Sequence, residues 1–350
     1  MALMPIQRIN DWETRIARYD AFWQNEIIDR PPVYIQVQKT DFELCDLRRW
    51  KDAEYIACTK AKIVDSFDYY GDALPSCTPN VGPDFFAAMY GAKIEFEKTT
   101  SFMKHSLESI KDFLLLQFEL TGEYFEAVEK MYELLFKLGK DKFYVGWPDI
   151  HPGADCLVGL RGPAELCMDI IDEPEIIKKS IAKTTKDFVG CFDYYYNKLV
   201  VRNQAVTGWP LIFSTKKWHV PSNDFSYMIS EKDFSELFLN GLEDECTHME
   251  ASLFHLDGPG SLTQLDKLLS IKKLNAVQWV YGAGNGTAKD WIHIYKKIQT
   301  AGKGIQVFAY LEDLDSLFAS LKPEGIAIVV YGVKDHETAA HVINRVKKWA

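Results

Sequence analysis

The sequence predicts an α/β fold, a single (β/α)8 TIM barrel with an N-terminal helical extension. Three observations carry that prediction. From residue 142 onward, short apolar segments rich in β-branched and aromatic residues alternate with stretches of helical period. With two units before that rhythm, eight β segments are each followed by a helix-patterned one. No G-x-G-x-x-G follows the first strand, which favours a closed barrel over an open doubly wound sheet.

Taken in order, Trp12, Ile16, Tyr19, Trp23 and Ile27 recur at helical spacing behind Asn10, a suitable N-cap, and Pro31-Pro32 ends the segment. Residues 1–30 are therefore the extension and 31–350 the barrel. VYIQV (33–37) reads as the first strand. A helical stretch covers 52–69. GDALPSCTPNVGP (71–83) is extended, because residues before proline avoid the α region, and the second β unit falls at 74–80. KIEFEK (93–98) alternates as a small exposed strand. Tyr124, Val128, Met131, Leu135 and Leu138 form one helix stripe, closed by Gly139 at C′. The remaining strands are KFYVGW (142–147), AVTGWPLIF (205–213), ASLFHLD (251–257), NAVQWV (275–280), GIQVFAY (304–310) and GIAIVVY (325–331). Their helices run 163–171 continuing 174–200, 231–250, 261–270, 288–302, 311–320 and 335–348.

A net charge of −10 argues against a nucleic-acid or anionic-membrane partner, since either demands a concentrated basic surface. The seven cysteines are odd in number and contain no C-x-x-C pair, which points to reduced thiols. The first twenty residues have no apolar signal core, and no stretch is long and apolar enough to span a membrane. A cytoplasmic protein acting on a small molecule is the expectation.

In such a barrel the site lies where strands end, so the C-terminal strand ends supply the candidates. HLDGPG (255–260) places His255 and Asp257 on one face of a strand end, suited to holding a metal or to acid–base work. The alternative is a histidine merely hydrogen-bonded within the mouth. WPDIHPGAD (147–155) offers Asp149, His151 and Asp155 on a loop stiffened by proline and glycine, where the aspartates can also serve as turn formers. STKKWHVPSND (214–224) reads as a mobile lid carrying His219, with Asp224 either in the site or capping the next helix. Asp72, Asn80, Trp209, Trp279 and Tyr310 complete the candidate substrate-binding set; the aromatics suit an apolar wall and suit core packing equally. There is no G-x-S-x-G, H-E-x-x-H, P-loop or paired-Cys metal site.

HLDGPG, the run 278–308, Tyr70–Ser76, PNVGP (79–83) and LRGPAELCMDIIDEPE (160–175) resemble the uroporphyrinogen decarboxylase superfamily over roughly residues 30–348. The arginine-rich signature of the true decarboxylases has no counterpart; VYIQVQKTDFE stands there, and Tyr331-Gly332-Val333 replaces their last histidine motif. The resemblance is closer to the corrinoid-dependent methyltransferase (O-demethylase-like) branch. It implies a methyltransferase moving a methyl group from a small methoxylated or methylated substrate to a corrinoid carried by a partner protein, with no tightly bound cofactor other than zinc. His255 matches the histidine of that branch's H-x-C zinc motif, while Asp257 stands at the cysteine position. His255 and Asp257 are accordingly the implied zinc ligands and catalytic pair. The rival readings are a metal-free decarboxylase of a small acid and a non-catalytic binding barrel.

Overall fold

A computed structural model describes residues 3–350. The strands are β1 (Val33–Gln38), β2 (Phe67–Gly71), β3 (Ser76–Cys77), β4 (Ile94–Phe96), β5 (Ser101–Met103), β6 (Tyr144–Val145), β7 (Val206–Thr207), β8 (Phe213–Ser214), β9 (Trp218–His219), β10 (Ala251–Asp257), β11 (Ala276–Val280), β12 (Gly304–Tyr310) and β13 (Ile326–Tyr331). Seven of them form one hydrogen-bonded sheet in the order β2-β1-β13-β12-β11-β10-β9. Every pairing in it is parallel except β1–β2. The molecule is thus mixed α/β, with a mainly parallel sheet and many helices. Among the described residues no closed sheet forms. The second to fourth β units are shorter than the sequence suggests and appear as separate pairs, β3–β6 and β7–β8. Backbone bonds from Asp72 N–H to Val33 O (2.6 Å) and from Trp147 N–H to Thr207 O (3.0 Å) connect the run into β3 with β1 and the end of β6 with β7, while Tyr144 N–H to Pro75 O (2.9 Å) belongs to the β3–β6 pair itself.

The strands of the second half match the sequence reading because their apolar runs are buried on both faces, as a helix-covered parallel sheet requires. The helices Pro163–Asp172, Pro174–Val200 and His336–Trp349 also fall where expected, two opened by proline at the first turn and one capped by Asp335, which accepts from Thr338 N–H at 2.7 Å.

Four expectations are corrected. The helix over 52–69 stops at Asp65, and FDYYG becomes β2, because its aromatics favour a strand; Gly71 sits at φ +64 with Val33 O where a Cβ would lie. The first helix is Trp12–Phe22 with Asp11, not Asn10, at its N-cap, and it ends well short of Ile27. AVTGWPLIF is not one strand but the antiparallel pair β7–β8 around Gly208–Ile212, since Pro210 cannot donate to a ladder. Glu231–His248 is helical but interrupted by a π-helical turn at Phe234–Phe238.

The N-terminal helix is tied down electrostatically. Arg18 and Arg30 both pair with the fully buried Asp72, and Arg18 also forks onto Asp29 at 2.6 and 2.8 Å. Among the described residues no helix is long and apolar enough to cross a membrane.

Candidate active site

The site is assembled by strand register. β9 pairs with β10 at Trp218–Ala251 and His219–Ser252, and the same register continues through an isolated bridge between Ser222 and His255. His255 N–H donates to Pro221 O at 2.9 Å. Two residues further on, that register brings Asp224 beside Asp257. Asp257 shares a face with His255 because side chains two apart on a strand point the same way. The ligand atoms of Asp224, His255 and Asp257 all lie within 4.8 Å of one another, with His255 half-buried and both carboxylates open to solvent.

The segment carrying Asp224 is fixed from the next loop. Asp155 accepts from Asp224 N–H at 2.9 Å and from the Ser222 hydroxyl at 2.7 Å. His151 lies between Asp149 (Nε2–Oδ1, 2.7 Å) and Ser222 (Nδ1–Oγ, 2.8 Å). Since the Ser222 proton goes to Asp155, its oxygen accepts from His151 Nδ1–H, and both ring nitrogens are donors. The ring is therefore an imidazolium. Burial opposes that charge, but Asp149, by its charge and hydrogen bond, and then Asp155 and Asp224 outweigh it and push His151 up to about 9. This Asp–His–Ser arrangement is no nucleophilic triad, because the imidazole has no lone pair left to accept the serine proton.

Around it the carboxyl groups crowd. Removal from water, followed by the charges of Asp155, Asp257 and Asp149, raises Asp224 to about 7. His255 moves the other way: burial holds its pKa below the ordinary value and the His151 charge adds to this, so the ring is neutral at pH 7. Glu245, buried behind Asp155 with its Oε2 unpartnered, is raised by burial and by Asp155 to about 8.

A pH dependence follows from the last group and from His151. Both bind a proton more tightly when folded than their ordinary values of 4.5 and 6.5 allow. The stability tied to each is complete below its ordinary value and is lost as pH rises through about 8 for Glu245 and about 9 for His151. Melting temperature should fall between pH 6.5 and 9, and Glu245→Gln should flatten that fall. A melting curve independent of pH over that window would contradict the assignment.

The other candidates divide. Trp209 meets the His255 ring edge-on at a centroid distance of 5.0 Å, and Tyr310 stands exposed beside Tyr331. Asp72 is away from the site in its arginine clamp, and Asn80 caps a turn by accepting from Gly82 N–H at 2.6 Å. Asn80 lines a separate cleft of about 490 Å³ with Cys45, Lys60 and Cys77. The 214–224 segment is no lid: Trp218 and His219 are buried on β9, and His219 packs against Trp147, Phe188 and Phe192. Trp279 is fully buried against Trp291, one position out of phase with the inward-facing Gln278. Sequence reasoning missed Ser222, Gln278, Gln306 and Glu245. A polar residue inside an otherwise apolar strand, as in NAVQWV and GIQVF, was the available signal for the two glutamines.

No family model and no curated protein matches the chain. Among solved structures, a methyltransferase from Methanosarcina mazei superposes with a TM-score of 0.58, covering 96% of this chain and 98% of that chain at 9% identity. At that identity the likeness is one of fold.

Proposed function

We propose that the chain is a methyltransferase of the corrinoid-dependent branch of the uroporphyrinogen decarboxylase superfamily, in which the β3–β6 and β7–β8 pairs stand in for the second to fourth strands of a (β/α)8 barrel. It takes a methyl group from a small methoxylated or methylated substrate and passes it to a corrinoid protein, with zinc held by Asp224, His255 and Asp257. The observation that carries this reading is the convergence of one imidazole and two carboxyl groups at the C-terminal end of β10. The donor set fits zinc: three protein ligands of N and O type leave a fourth position for substrate, as catalytic rather than structural sites do. Oxygen in place of the thiolate makes the site harder and weaker than an H-x-C site. The likeness in fold to a solved methyltransferase adds to the reading.

When bound, the metal supplies Lewis acidity to the atom that loses the methyl group. The chain's own residues supply the rest. Asp155 holds the Asp224 backbone in place, and the His151 imidazolium offsets the crowded carboxylates. Trp209 presents an apolar wall beside His255, and Tyr310 and Tyr331 form an aromatic edge that suits a small apolar methyl donor.

The test is to mix the protein with a Co(I) corrinoid protein and a panel of methoxylated and methylated compounds. Methylation of the corrinoid, seen in its absorbance, is expected with at least one compound. No methylation, together with carbon dioxide release from a carboxylic acid, would overturn the proposal. Trp209→Ala should raise KM for the accepted compound by about tenfold, corresponding to ~1–2 kcal/mol of lost apolar contact.

A further inference from the structure

We infer that Gln278 and Gln306 are positioning residues that dictate which nitrogen of His255 is free to bind a metal, through a one-way hydrogen-bond relay anchored on the Pro210 carbonyl. The inference rests on the reading of His255 as a ligand and adds what decides its binding atom. Parallel register places the three side chains in a row, because His255 is directly opposite Gln278 and Gln278 opposite Gln306. His255 Nδ1 lies 2.5 Å from Gln278 Oε1, and Gln278 Nε2 donates to Gln306 Oε1 at 2.6 Å. Gln306 Nε2 then donates to Pro210 O. Both glutamines are buried, at 0% and 1% exposure, so no water is available to satisfy a flipped amide.

The direction follows from the last link. A backbone carbonyl can only accept, so Gln306 must turn its amide nitrogen to Pro210 and its oxygen to Gln278. Gln278 must then donate toward Gln306 and present its own oxygen to His255. Reversing any one amide would set oxygen against oxygen somewhere along the chain. Facing an acceptor, His255 carries its proton on Nδ1, and Nε2 keeps its lone pair for the cluster with Asp224 and Asp257.

The anchor is itself held in an unusual backbone. Leu211 adopts φ +61, a left-handed conformation that non-glycine residues seldom take, and it follows directly on Pro210. Trp209, on the other side of Pro210, packs its ring edge-on against His255. One short turn between β7 and β8 thus sets both the plane of the imidazole and its tautomer.

The test uses two readouts that need no turnover. In the metal-free protein at pH 8, nitrogen-15 NMR of labelled histidine, with the His255 signals assigned by their loss in His255→Ala, is expected to show the Nδ1–H tautomer. In the second, zinc affinity measured by chelator competition should fall about 10–100-fold in Gln278→Leu. Gln306→Glu, which as a protonated carboxyl group donates to Pro210 O and accepts from Gln278, should keep the Nδ1–H tautomer, whereas Gln306→Met should admit both tautomers. If a substituted protein does not fold, the unsubstituted protein still decides the matter through its tautomer. An Nε2–H tautomer for His255 would overturn the inference even with zinc bound normally. A protein with the Nδ1–H tautomer and no zinc affinity would leave the relay standing and sink the proposed metal chemistry.

Discussion

If His255 holds zinc as proposed, its replacement with alanine is expected to lower turnover by about 10³-fold or more, since a Lewis acid at the leaving atom contributes several kcal/mol to the transition state. The substituted protein should still fold. Its stability should nevertheless drop, because His255 is the donor to Gln278 Oε1 at 2.5 Å and the buried amide oxygen would be left unpaired. A buried acceptor without its partner costs about 1–3 kcal/mol. The two effects separate by measurement: urea unfolding reports the second, and initial rates per folded molecule report the first. Unchanged turnover in a folded His255→Ala protein would remove this residue from the chemistry.

The largest expected effect on stability lies far from that chemistry. Asp72→Ala would strip the common partner from Arg18 and Arg30 and remove the acceptor of Val33 N–H, which donates to Asp72 Oδ2 at 2.8 Å. Arg18 retains its fork onto Asp29, but Arg30, only 3% exposed, would keep a single partner in the Pro31 carbonyl. Breaking a buried pair from one side costs about 3–5 kcal/mol, because the surviving charge stays desolvated. Equilibrium unfolding in urea is the measurement, with turnover per folded molecule expected to be unchanged. A loss below about 1 kcal/mol would show that the clamp is solvated and contributes as a surface pair does.

The contrast between these two aspartates, 72 and 224, shows what could be read from the chain alone. Local signals placed most elements of the second half: unbroken apolar runs marked β10 to β13, and helical period marked Pro163–Asp172, Pro174–Val200 and His336–Trp349. Those signals are carried by neighbours in sequence, where period and caps operate. The pairing of His255 with Asp257 was legible for the same reason, as both belong to one strand. Asp224 joins them only through a register between β9 and β10, and no local pattern encodes a pairing partner. Buried parallel strands also hide their faces, since both are apolar. Trp279 and Gln278 are adjacent and look equally plausible in sequence, yet one packs against Trp291 and the other continues the hydrogen-bond row from His255. The 214–224 segment misled because its lysines and serines suggest solvent, while Trp218 and His219 fill the aromatic core.

A single metal site formed by Asp224, His255 and Asp257 lies at the core of the proposed function. Its most direct test is the zinc content of the protein after incubation with the ion and removal of excess, compared with Asp224→Ala, His255→Ala and Asp257→Ala. One zinc per folded chain in the unsubstituted protein, and little or none in each of the three variants, is the predicted result. Zinc retained at full stoichiometry in all three variants, or none bound by the unsubstituted protein, would contradict it.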